Sequence, residues 1–74
     1  MNAAEKHNAL AREFVLKVAS ETNSYSEMMV VIETIILSAM LLLSKRDHFP
    51  PHGAVEMVEM SVQQATERFS KLEG

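Results

Sequence analysis

The chain has no cysteine and no tryptophan, and only two glycines and two prolines. Each shortage excludes something. Without cysteine there are neither disulfides nor thiolate metal sites, two common staples of small scaffolds. Aromatic residues are limited to Phe14, Tyr25, Phe49 and Phe69, too few for a platform on which single-stranded bases stack. Seven Lys and Arg stand against ten Asp and Glu, with no basic block, so no nucleic-acid partner is expected. Phosphate-cradling glycine loops, nucleophile elbows and helix-borne zinc motifs do not occur. No E-x-x-H pair occurs either, which removes a ferritin-like diiron arrangement. The N-terminal stretch carries Glu5, Lys6 and Arg12 and lacks the apolar segment of a secretory leader. A cytoplasmic setting is the expectation.

What is present is a long apolar run. Met28 to Leu43 reads MMVVIETIILSAMLLL, interrupted only by Glu33, Thr34 and Ser38. A helix that is apolar almost all round must be covered on most sides. A chain of 74 residues is one small domain, expected over 1–74, and such a domain buries a modest share of its surface. The remaining staple is oligomerisation, and the simplest cover is a second copy. The rest of the composition, 47% apolar and 23% charged with a net charge of −3, is that of a small acidic globular protein.

No strand alternation and no internal repeat is visible. Apolar periodicity predicts three helices, at about 3–22, 25–45 and 52–72. In the first, Ala3, His7, Leu10, Ala11, Phe14, Val18 and Thr22 fall on one side and form the expected core stripe. His7 reads as a core-edge histidine. A first joint follows at Thr22–Glu27, where Asn23 is expected in the left-handed conformation and Ser24 with Glu27 matches a capping box. Such a short joint makes the first two helices antiparallel neighbours. The second helix closes on Lys45 and Arg46, cations suited to its C-terminal dipole. Pro50 and Pro51 end it, and Pro51 suits the first position of the third helix, with Phe49 tucked against the bundle end. In that third helix Val55, Val58, Val62, Ala65, Phe69 and Leu72 follow 3-4 spacing, a narrow coiled-coil-like seam. Glu67 and Lys71 stand in the favourable i,i+4 order. The predicted fold is an all-α, three-helix antiparallel bundle with a very apolar central helix, completed by homodimerisation.

Few residues could carry chemistry. Asp47, His48 and His52 resemble a metal-ligand set in residue type, but two prolines between the histidines break helical i,i+4 geometry. A metal-dependent or enzymatic site on this loop is the alternative reading; no catalytic residue, cofactor or metal is assigned. Glu33 sits among apolar neighbours and either faces water or acts as a registry charge paired across helices. Met29, Ile36, Leu37, Met40 and Leu43 are the expected self-association face. Leu16, Met57 and Met60 lie off their helices' stripes and are the expected contacts for another protein. The apolar run is shorter than the ~20 residues a bilayer needs, and Glu33 inside it would be costly there. Membrane association through the second helix is therefore kept only as a further alternative. The function expected is non-catalytic: a small homo-oligomeric helical protein-binding module, whether regulator, adaptor or chaperone-like.

Overall fold

A computed structural model describes residues 2–74. The protein is all-α, with α1 at Ala3–Glu21, α2 at Tyr25–Lys45 and α3 at Pro51–Glu73, and no strand among the described residues. The helix limits fall within one residue of those read from apolar periodicity. The chain clusters into two compact units that divide inside α2, one ending at Glu33 and one running from Thr34 to Gly74.

In the first unit, α1 opens on a cap that periodicity does not show. The Asn2 side-chain oxygen accepts from the Glu5 amide at 2.9 Å, and the Asn2 amide group reaches Glu5 Oε1 at 3.3 Å. This satisfies one of the free donors every helix start leaves. At the other end Asn23 is not left-handed; His48 is the only non-glycine with positive φ among the described residues. Thr22 instead turns extended, with φ −115° and ψ 141°, and its hydroxyl donates to the Val18 carbonyl at 2.8 Å. The chain can leave α1 in this way because a side chain, not a backbone reversal, meets the last carbonyls. The capping box forms as expected on one side, with the Glu27 amide donating to Ser24 Oγ at 3.2 Å. On the other side Glu27 accepts from the Asn23 amide at 3.2 Å, one residue before the usual partner.

The second unit joins the later part of α2 to α3 through a tight link. His48 takes φ 61°, and the Phe49 amide turns back to the Leu43 carbonyl at 3.0 Å. Left-handed residues commonly end helices because they reverse the chain toward its last free carbonyls. Pro50 caps α3 with φ −65° and ψ 155°, and Pro51 occupies its first turn without losing a needed donor. The Ala54 amide then donates to the Pro50 carbonyl at 3.0 Å, starting the regular ladder. A Cβ on Gly53 would stand 3.3 Å from Pro50 Cγ and 3.9 Å from Phe49 Cδ2, so the missing side chain keeps the turn close. Phe49 and Gly53 are half-buried here.

Burial is scarce. Ala54, at 2% exposure, is the one buried residue among those described. Neither α1 nor α2 contains a buried residue. The stripe expected to form the core of α1 is exposed at Leu10, Ala11, Phe14 and His7, and only Val18 and Thr22 are half-buried. The α3 seam is likewise open: Val62 is 51%, Phe69 61% and Leu72 85% exposed. Amphipathic spacing names the face that prefers cover, and here that face has too little chain to cover it.

Candidate functional site

In the second unit, α2 and α3 flank an open apolar groove of about 500 Å³. From α2 its walls take Ile35, Ile36, Ala39, Leu42 and Leu43; from α3 they take Met57, Val58, Ser61, Val62 and Ala65. The groove exists because α2 is apolar on more than one side while α3 presents a 3-4 seam. Two cylindrical helices joined by a short link touch along one line and leave a furrow beside it. Leucine, isoleucine and valine make it a surface for apolar side chains, and Met57 adds an adaptable wall. Arg46 and Asp47 close the end nearest the link. Their side chains form a fork, with Arg46 Nη2 3.1 Å and Nε 3.2 Å from the Asp47 carboxylate. The hydrogen bond and the charge of Asp47 raise the Arg46 guanidinium above its usual pKa. Arg46 thus meets Asp47, whereas the sequence suggested the helix terminus.

The residues singled out from the sequence fall in several places. Ile36 and Leu43, expected to self-associate, share this groove with Met57, expected to meet another protein. Met40 is half-buried and Leu37 exposed, both outside the groove walls, while Met60 is exposed on α3. Met29 and Leu16 are exposed in the first unit, and so is Glu33. Glu33 therefore has the water-facing placement rather than the buried one. The Glu67–Lys71 ion pair does not form; the bridges among the described residues are Lys17–Glu21 at 3.8 Å and Arg46–Asp47 at 3.1 Å. Both Lys71 and Glu67 are exposed, where water competes well with a single weak pair.

Asp47, His48 and His52 are not brought together as ligands. Among the described residues no group of three or more His, Asp or Glu is placed to hold a metal ion. The Asp47 carboxylate instead accepts from the Arg46 guanidinium, while His52 lies in the first turn of α3. Two residues were not foreseen. Ala54, in the first turn of α3, is buried, and Asn2 caps α1. An Asn three positions before a Glu, ahead of an apolar-periodic stretch, was the available signal for the cap.

No protein family, curated protein or solved structure matches the chain. The most apolar 18-residue window of α2 has a mean hydropathy of 2.0, and the 21-residue helix is long and apolar enough to cross a membrane by length and composition. The apolar run from Met28 to Leu43 is shorter, but Tyr25–Glu27 and Ser44–Lys45 are helical too.

Proposed function

We propose that this protein is a non-catalytic, homo-oligomeric helical module whose apolar groove and seams bind protein, its own copy first. One observation carries the reading. Within the second unit alone, Leu37, Leu41, Leu42, Val62, Phe69 and Leu72 are each at least half exposed. In the first unit Leu10, Phe14, Val15 and Leu16 are exposed as well. Monomers in water rarely keep contiguous apolar patches beyond a few hundred Å². Light scattering coupled to size-exclusion chromatography, at micromolar chain concentration, is the test. A mass of two chains or a small multiple is expected; a stable monomer would sink the reading.

A second reading is favoured by the length of α2. At 1.5 Å per residue it would reach about 31 Å, close to the hydrocarbon thickness of a bilayer. Against it stands Glu33 in mid-helix, a costly group at bilayer depth. Flotation with liposomes separates the two: recovery in the floated fraction favours the membrane, and recovery in the soluble fraction favours the oligomer.

A further inference from the structure

Residue pattern alone placed the self-association face on α2, at Met29, Ile36, Leu37, Met40 and Leu43, but α3 carries a pattern that points to a different face. Counting Val55 as position a of a heptad, the a and d sites are Val55, Val58, Val62, Ala65, Phe69 and Leu72. The seam covers 18 residues, about 27 Å of helix. Its later half is the most open apolar stretch of the second unit, with Phe69 and Leu72 at 61% and 85% exposure. Three seam residues, Val58, Val62 and Ala65, are also the α3 wall of the groove, so a helix laid on the seam would cover that wall.

The flanking positions discriminate orientation. The e sites are Glu59, Thr66 and Glu73, and the g sites are Ala54, Ser61 and Arg68. In an antiparallel pair e meets e and g meets g. No register then gives opposite charges, because one set is acidic or neutral and the other basic or neutral. In a parallel pair each g meets the e five residues on in the partner. The three meetings are Ala54 with Glu59, Ser61 with Thr66, and Arg68 with Glu73. The last is an opposite-charge pair, made twice by symmetry, and no like charges meet. Neither Arg68 nor Glu73 has an ion pair in its own chain among the described residues. They cannot pair within α3, since five residues turn the helix by ~140°.

We infer that a second copy of this chain docks α3 against α3 in parallel, along the Val55–Leu72 seam, with Arg68 of each chain facing Glu73 of the other. This rests on the oligomer reading and adds the partner face and its direction. A parallel seam also places each a and d residue opposite its own copy. Because the natural chain has no cysteine, a single Leu72→Cys reports this without background. Leu72 lies in the last turn at 85% exposure, so the change leaves the fold intact. Under mild oxidation Leu72→Cys should link to itself in most of the dimer. An equal mixture of Val55→Cys and Leu72→Cys chains should give self-linked products and few mixed ones. Arg68→Glu should weaken association about tenfold, replacing two attractive pairs with two repulsive ones. Arg68→Glu combined with Glu73→Arg should restore it. A dimer in which Leu72→Cys fails to self-link, or links mainly to Val55→Cys, overturns the parallel seam and leaves the oligomer reading standing. A monomeric mass overturns both.

Discussion

The two joints do the same work by different means. Between α1 and α2 the chain turns on side chains: Thr22 closes one helix, and Ser24 and Glu27 open the next. Between α2 and α3 it turns on backbone: a left-handed His48, the Phe49 amide bent onto Leu43, and two prolines whose fixed φ directs the exit. Side-chain caps are added to a turn the backbone can take without strain. A backbone turn built on a left-handed histidine stores some strain, because its Cβ crowds the following carbonyl. The difference shows downstream. The second joint leads directly into the one buried residue among those described, Ala54, whereas the helices that the first joint connects contain none. Closing the backbone tightly brings two helices near enough to exclude water.

The largest expected effect tests where that burial sits. Ala54→Asp places an uncompensated charge at a buried position and should destabilise by about 3 kcal/mol, more than 10 °C in Tm. Ala11→Asp, on the exposed α1, should change stability by about 0.5 kcal/mol, the helix-propensity difference alone. Equal losses at the two sites would erase the contrast between the units. Next, Ser24→Ala removes the cap of α2 and should lower stability by about 1 kcal/mol, read from chemical denaturation. Comparable in size but opposite in sign, His48→Gly should stabilise by up to ~1 kcal/mol, since glycine takes positive φ without strain. The same change at Asn23, which is not left-handed, should give no gain; a gain there would contradict the geometry of the first joint. Smallest of all, Glu21→Gln breaks the exposed bridge to Lys17 and should shift stability by no more than ~0.3 kcal/mol, vanishing at high salt.

Much of the fold was legible in the chain. Helix limits at Glu21, Lys45 and Pro51 follow from local signals: a Ser-x-x-Glu box, a double proline and 3-4 apolar spacing. Those signals act over a few residues, so they need no knowledge of distant neighbours. Asn23 shows the limit of such reasoning. Its residue type permits a left-handed turn, but Thr22 and Glu27 met the free backbone groups first. The candidate surface was legible only in part. Ile36, Leu43 and Met57 were each identifiable as exposed or half-exposed apolar positions, yet periodicity assigned them to different partners. Their sharing of one groove depends on how α2 and α3 lie against each other, which no helical wheel contains.

By itself, then, the amino-acid order determined that there are three helices, where they stop, which faces are apolar, and that no thiol chemistry exists. These follow from backbone hydrogen bonding, side-chain capping and residue volume over one or two turns. Only the tertiary structure decided that Ala54 alone among the described residues is buried, that the stripes of α1 and α3 stay open, and that Glu33 faces water. The reason is physical: burial is a property of pairs of surfaces, set by how much partner surface a segment can reach.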